Sequence, residues 1–504
     1  MRAFLRTHCS LERSRAAATK ILLLVFLSIT ASIGFYQLTE SPKTWYDEGL
    51  YLQVARTVAH HHGFFIQIAP HEFTPIGEFI TVGYPVTFPL AMVLRVFGDQ
   101  LLYARVFAVM YLLLFVGVST LYVKHVFGTR LAWYTLPILT TFAPLYGNGK
   151  EVLGEVPGLF FLVAFFLTLQ YLVEKQKRPP LWLILTAGLS AGLAIATKPN
   201  FIVLLPAMLV GGWFYRKELA HLLQRCRVCV FLFGLLTPLL ALLLSQFHAS
   251  ERPIDVLRYI LNPYGLTNLA QVMAQNALRF TNESTPLYFM GMLVIWISAL
   301  VIRRARQQKI VLTELIALFF TLATLYSYLR SPGWYRYFFL GNIVAILFFV
   351  PAFFLIVESI QAKVRPVIAK GLFFLSRGVL VALVCFQLYQ VGFHSWVADY
   401  YNNTQTQELS DYFTHIFPKE QSIFLYQVPE VALFLPTDLF YQAFTVNNPR
   451  LQLVGADQRE RLKEGIPDQV ITSADALPAL LPFLERYVTS TTIVHGNYVL
   501  FVRK

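Results

Sequence analysis

Ile21–Gly49 reads ILLLVFLSITASIGFYQLTESPKTWYDEG. Ile21 to Tyr36 is an apolar run of the kind that enters a bilayer, and about ten residues beyond it stands Tyr46-Asp47-Glu48-Gly49. Two adjacent carboxylates just outside a membrane helix cannot be buried unpaired at low cost, so they face water, a cation or a substrate. The rest of the chain repeats the first half of this pattern. Of 504 residues, 56% are hydrophobic and 14% charged, and the mean hydropathy is +0.55. That balance excludes a soluble domain and describes a polytopic membrane protein.

Eleven segments have the length and composition of spans: 20–37, 102–123, 131–147, 152–172, 181–196, 200–215, 228–247, 286–302, 310–328, 337–357 and 372–393. The net charge of +13 is unevenly placed. From Asp399 onward twelve Asp and Glu face eight Lys and Arg, a net of −4, so the preceding part carries +17. With Arg2, Arg6, Arg13, Arg15 and Lys20 in the cytoplasm, every second loop is basic: Lys124 to Arg130, Lys175 to Arg178, Arg216 with Lys217, Arg225 and Arg227, Arg303 to Arg306, and Lys363 to Lys370. The intervening loops hold Asp47, Glu48, Glu72, Glu78, Glu151 and Asp255. This alternation follows the positive-inside rule and argues against a nucleic-acid patch. It predicts a cytoplasmic N-terminus, a retained first span and an external C-terminus.

Two domains are expected, a transmembrane domain over 1–398 and a small extracytoplasmic α/β domain over 399–504. The first outer loop, 38–101, contains two stretches, Leu50 to Val58 and Tyr84 to Val96, that suit the membrane interface. In the C-terminal part Ser422–Tyr426, Thr491–Val494 and Tyr498–Val502 read as strands, with a hairpin turn at His495-Gly-Asn497. Asp457–Glu464 and Asp475–Arg486 read as helices. Cys226 and Cys229 form a lone CxxC in a basic loop, too few ligands for a metal site, and no cysteine follows Cys385. His60-His61-His62 cannot all face one ion on a helix. Asn282-Glu-Ser284 and Asn402-Asn-Thr404 fit glycosylation sequons, a short and weak motif.

The chemistry-bearing residues cluster at the outer boundary. Asp47 and Glu48 fit an acidic first turn that complements a helix dipole, and equally a general base with a neighbour that holds a divalent cation or tunes it. Glu151 is placed to reach water, while Glu155 lies one turn into the fourth span before Pro157. Lys198 and Arg336 are cations on the outer side, against the inside bias. They suit a phosphate near the headgroup plane or, with Trp334, Tyr335 and Tyr337, an interfacial anchor.

In order along the chain stand Asp47-Glu48, Val54-Ala55-Arg56, Gly63-Phe64, Tyr84-Pro-Val-Thr-Phe-Pro-Leu, Val96-Phe-Gly98-Asp, Ala104-Arg105, Glu155-Val-Pro157 and Thr197-Lys198-Pro199. Over roughly residues 20–360 this resembles the GT-C superfamily of integral-membrane glycosyltransferases. The protein O-mannosyltransferase-like and lipid A aminoarabinose transferase-like enzymes are the nearest in type. The resemblance implies an inverting transfer of a sugar from a polyprenyl-phosphate carrier to an unidentified acceptor, on the extracytoplasmic face of a bacterial plasma membrane. It implies Asp47, Glu48 and Glu155 as catalytic residues. Arg56, Lys150, Lys198, Tyr335 and Arg336 become candidate substrate contacts. No cofactor is required beyond a divalent cation at Asp47 and Glu48, should one be used. The aminoarabinose-type enzymes carry a Lys-Pro where this chain has Gly83-Tyr84-Pro85. A lipid flippase would be expected to show internal symmetry and midplane acids. An O-antigen ligase or polymerase would use the same carrier lipids with an outer loop rich in Arg and His.

Overall fold

The computed structural model describes residues 2–75, 82–174, 179–219, 225–246, 268–394, 404–436, 438–444, 458–493 and 497–504, with side chains from residue 17 onward except at 284. Glu78, Lys175–Arg178, Asp255, Asn402 and the His495-Gly turn lie outside the described residues.

The helices follow from the apolar runs. In chain order they begin α1 (Arg2–Phe35), α2 (Tyr46–Ala59), α3 (Tyr84–Phe97), α4 (Leu101–Phe127), α5 (Thr129–Thr140), α6 (Ala143–Gly149), α7 (Glu155–Glu174) and α8 (Leu181–Thr197). Among the described residues eight helices are long and apolar enough to cross a membrane: Ala17–Phe35 of α1, α4, α7, Arg225–Gln246, Thr285–Ala305, Leu312–Leu329, Arg336–Gln361 and Pro366–Phe393. Three more apolar helices are shorter: Tyr84–Phe97, Leu181–Thr197 and Pro199–Phe214. The chain is thus an integral multi-pass membrane protein. The expected span 131–147 is two helices, α5 and α6. Thr141 closes the first, extended Phe142 separates them, and Pro144 opens the second. Pro144 has no N–H to give back to the Thr140 carbonyl, so one continuous helix cannot run through it and the run breaks at Thr141–Phe142.

Side chains fill the interior around Arg336–Gln361, whose residues Phe338 to Ala352 are all buried. Trp296 stacks on Phe348 at 4.6 Å. α8 meets Arg225–Gln246 through Gly188, Gly192 and Gly234. A Cβ at Gly192 would stand 3.0 Å from Pro238, and one at Gly234 3.0 Å from the Leu189 nitrogen. Small residues let helix backbones approach closely where lipid offers no hydrophobic gain for association. A charge pair joins the ends of two successive helices: Arg303, in the last turn of Ser284–Ala305, donates to Glu314, in the first turn of Leu312–Leu329, which also accepts the Trp296 indole N–H at 3.1 Å.

The first outer loop folds on the protein. α2 is buried on most of its surface, packed with β1 (Phe65–Ala69) and α3. Its Leu50 to Val58 stretch is therefore inside protein, contrary to the expectation that it lies in the interface. α3 does present an apolar stripe, with Phe88, Met92 and Val96 exposed at four-residue spacing. β1 pairs antiparallel with β2 (Glu72–Pro75).

The C-terminal residues form a five-stranded mixed sheet, order β4-β3-β5-β7-β6. Its strands are β3 (Ile423–Tyr426), β4 (Phe440–Ala443), β5 (Gln469–Ser473), β6 (Tyr487–Ile493) and β7 (Tyr498–Arg503). β3 runs parallel to β4 and β5 and is buried throughout. The expected helix 475–486 reduces to Leu477–Leu480 and a 3-10 turn through Phe483, because Pro478 and Pro482 remove its donors. The sheet stands at the same end of the bundle as Asp47, for Gln442 of β4 donates to Gln53 of α2 at 2.7 Å.

Candidate active site

α2 begins at Tyr46 after extended Trp45, and no side chain caps it. Asp47 and Glu48 therefore sit in its first turn, where the exposed amide dipoles favour carboxylates. One turn of helix points the two acids in different directions. Glu48 is fully buried and is held by Arg105 of α4. Nε donates to Oε1 at 3.1 Å and Nη2 to Oε2 at 2.8 Å. Arg105 Nη1 also donates to the carbonyls of Leu38 and Pro42, at 2.9 and 2.8 Å. All of these acceptors belong to the chain entering α2, so Arg105 ties α1, the turn and α2 together.

Asp47 turns instead toward Arg336, which donates to its Oδ2. The guanidinium lies beside the stacked rings of Trp334 and Tyr337, 5.3 and 5.4 Å from their centroids. Aromatic faces orient such a cation without neutralising it. A third pair joins Glu155, the first residue of α7, to Lys198 at the end of α8. Lys198 Nζ also donates to the Leu153 carbonyl at 2.8 Å. Glu155 Oε2 is buried with no hydrogen-bond partner among the described residues.

Between these pairs lie Lys150 and Glu151. Lys150 is buried and donates to the Tyr36 carbonyl at 2.6 Å. Burial, with Arg105 adding to it, pushes its ammonium down to about 7. Glu151 is buried as well, contrary to the expectation that it reaches water. Burial first, then Glu48 and Glu155, raises its carboxyl, while Arg105 and Arg336 oppose the shift. The groups that act on this one carboxyl show that Glu48, Arg105, Glu155 and Arg336 share a single electrostatic neighbourhood.

The structure thus brings together Asp47, Glu48, Lys150, Glu155, Lys198 and Arg336. It sets two expected contacts apart. Arg56, two turns further along α2, is a strut: it pairs with Asp99 at 3.4 Å and donates to the Ala432 carbonyl at 3.1 Å. The Tyr335 ring packs edge-on against Phe338 at 4.6 Å, and its hydroxyl accepts from Asn342 at 2.9 Å. Arg105 had no assigned role in the sequence. The available signal was a lone arginine one turn into a span, which demands a buried partner. The histidine run disperses: His60 pairs with Asp99 at 2.8 Å, and His62 stacks on Phe73 at 4.3 Å. Among the described residues no group of three or more His, Cys, Asp or Glu is placed to hold a metal.

The family model of dolichyl-phosphate-mannose-protein mannosyltransferases matches residues 85–245. That stretch holds Arg105, Glu155 and Lys198 and leaves Asp47 and Arg336 outside. In fold, the chain is similar to ArnT from Cupriavidus metallidurans in the apo state, with a TM-score of 0.62 at 15% identity over 95% of this chain and 97% of that one. The same protein bound to undecaprenyl phosphate gives 0.61 at 14% identity, with the same coverage. The archaeal oligosaccharyltransferase AglB from Archaeoglobus fulgidus, in complex with an inhibitory peptide and a dolichol-phosphate, gives 0.54 at 12% identity over 96% of this chain and 74% of that one. No curated protein matches the sequence. The resemblance read from the sequence holds at the level of architecture: the chain carries the fold of the GT-C superfamily of membrane glycosyltransferases.

Proposed function

We propose that this protein is an inverting glycosyltransferase that takes a sugar from a polyprenyl-phosphate carrier and transfers it to an acceptor hydroxyl or amine on the extracytoplasmic face. The observation that carries the reading is the pairing of Asp47 with Arg336 at the mouth of a buried charge cluster. A carboxylate and a guanidinium held together there are the two groups that a transfer from a phosphate leaving group needs.

In this reading Asp47 accepts the proton of the attacking acceptor group. The acceptor atom forms its bond to the anomeric carbon from the face opposite the phosphate. The bond from that carbon to the phosphate oxygen breaks, and the oxygen keeps the electron pair. The polyprenyl phosphate leaves as an anion that gains charge in the transition state. Arg336 is placed to stabilise it, and Lys198 to assist. Glu48 orients Asp47 through its bonds to Arg105 and does not touch the substrate. Glu155 holds Lys198 and offers its unpartnered oxygen to the sugar. Since Arg105 occupies both Glu48 oxygens and Arg336 faces Asp47, these two guanidinium groups supply the charge that a divalent cation would bring.

The test is release of radiolabelled sugar from a panel of polyprenyl-phosphate sugars by the purified protein. Asp47→Asn keeps the volume and removes the basicity. It should lower turnover by about 10²-fold or more with little change in the binding of undecaprenyl phosphate. Near-normal turnover would move the base to Glu155.

A further inference from the structure

The C-terminal sheet has so far played no part in the chemistry, yet it is built onto the helix that carries Asp47. Gly49 packs directly on the turn Pro429–Leu433: a Cβ there would overlap the nitrogen and Cα of Glu430 and stand 2.8 Å from the Pro429 carbonyl carbon. One turn on, Gln53 Nε2 donates to the Pro429 carbonyl at 2.7 Å. Gln442 of β4 donates to Gln53 Oε1 at 2.7 Å and also to the Gln67 carbonyl of β1. Arg56 then reaches the Ala432 carbonyl. Positions 49, 53 and 56 form one stripe of α2 at helical spacing. α2 is therefore held from the bundle by Arg105 on Glu48 and from the sheet by this stripe.

The turn has an unusual residue at its centre. Glu430 is 7% exposed. Its Oε1 accepts from the Tyr498 hydroxyl at 2.9 Å, and that hydroxyl accepts from Gln405. Its Oε2 is buried with no hydrogen-bond partner among the described residues. The titratable groups facing it are Tyr498 of β7, Lys43 ahead of α2, and Tyr46 at the start of α2. Burial pushes the Glu430 carboxyl up to about 7, and its own backbone N–H, the bond from Tyr498 and the charge of Lys43 offset only part of that rise.

We propose that the C-terminal sheet domain is a positioning element of the transfer site, docked through Gly49, Gln53, Gln442 and Glu430 so that it sets α2, and with it the Asp47 carboxylate, against Arg336. The proposal rests on the reading of Asp47 as the base. A base works only within hydrogen-bond reach of the proton it takes, and a displacement of about 1 Å can cost roughly 10²-fold in rate. Arg336 and Lys198 sit on other elements, so donor binding is separable from the placement of Asp47. The sign of the pH effect follows from the neutral, docked carboxyl. Docking is strongest below the ordinary carboxyl value, weakens as pH rises toward about 7, and stays weak above it.

The experiment uses the full-length protein in detergent with three variants: Gln442→Leu, Gly49→Ala and Glu430→Gln. Binding is read with undecaprenyl phosphate. Turnover is read with the polyprenyl-phosphate sugar found active in the panel, and the setting of α2 by hydrogen exchange along Tyr46–Ala59. Gln442→Leu and Gly49→Ala should lower kcat at least about 10-fold, keep undecaprenyl phosphate binding within about 2-fold, and speed exchange in α2 but not in Arg336–Gln361. Glu430→Gln should remove the fall of kcat that the parent shows as pH rises from the ordinary carboxyl value toward about 7. Unchanged exchange in α2, or unchanged kcat in both of the first two variants, overturns the proposal. So does loss of binding and kcat together, which marks general unfolding. If Asp47→Asn itself retains turnover, the assignment of the base fails, a result separate from these.

Discussion

Arg105→Met tests whether the carboxylate beside Asp47 is held by charge. Methionine keeps much of the stem volume, so little cavity forms, and the loss is electrostatic. Four donated bonds disappear, two to Glu48 and two to the carbonyls of Leu38 and Pro42. Breaking one side of a buried pair costs about 3–5 kcal/mol, because the remaining charge has no counterion. A stranded carboxylate can escape by taking up a proton. That costs about 1.4 kcal/mol for each pH unit above the ordinary carboxyl value of about 4.3, hence roughly 4 kcal/mol at pH 7.5 and about 1 kcal/mol at pH 5. The variant should therefore be several degrees less stable than the parent at pH 7.5, and the gap should shrink at pH 5. Thermal unfolding in detergent at both pH values measures this directly. The double variant Glu48→Gln with Arg105→Met should recover part of the loss at pH 7.5, since no charge is then stranded. A Tm deficit that is equal at the two pH values, and not relieved by Glu48→Gln, would refute the reasoning.

Arg336→Ala should weaken undecaprenyl phosphate binding and lower turnover together, and Arg336→Lys should restore only part, since the planar fork is lost; unchanged constants with poorer expression would make Arg336 an interfacial anchor. Lys198→Ala should act in the same direction more mildly, because its ammonium is shared with Glu155 and the Leu153 carbonyl. Reporter fusions at Lys504 and after Arg306 should report opposite sides of the membrane, and a cytoplasmic Lys504 would overturn the placement of the whole cluster.

The bundle was legible because membrane spans announce themselves by composition alone. All eleven apolar segments are helical, and the single misreading, 131–147, came from treating Ala143-Pro144 as part of one helix. Asp47, Glu155, Lys198 and Arg336 were legible for a related reason: a charge at the edge of an apolar run must have a partner. Their pairing was not legible. Asp47 and Arg336 are separated by almost 300 residues, and no local pattern states which cation meets which acid. α2 was misplaced for a similar reason. Its amphipathic sequence suits an interface, but the face that would meet lipid is covered by a turn near residue 430. The β1–β2 hairpin and the helix Leu269–Asn282 were missed, although Leu269, Val272, Met273, Ala277 and Phe280 recur at helical spacing and the signal could have been read.

The three ion pairs differ in how far they open to solvent. Glu48–Arg105 is fully buried, with two bonds within the pair and two more from Arg105 to the Leu38 and Pro42 carbonyls. Glu155–Lys198 is almost as deep, at 0% and 4% exposed. Asp47–Arg336 alone among the three stands open, at 20% and 18%. Solvent and substrate therefore reach that pair first. Only Nη1 of Arg336 is given to Asp47, so a phosphate can accept from the rest of the guanidinium without displacing the carboxylate. The Asp47 carboxylate then stays beside the phosphate, within reach of the acceptor proton it is to take. The two buried pairs keep the helices fixed while the exposed pair receives the phosphate. By this argument the order of binding follows from burial: carrier first at Arg336, acceptor second at the Asp47 carboxylate beside it.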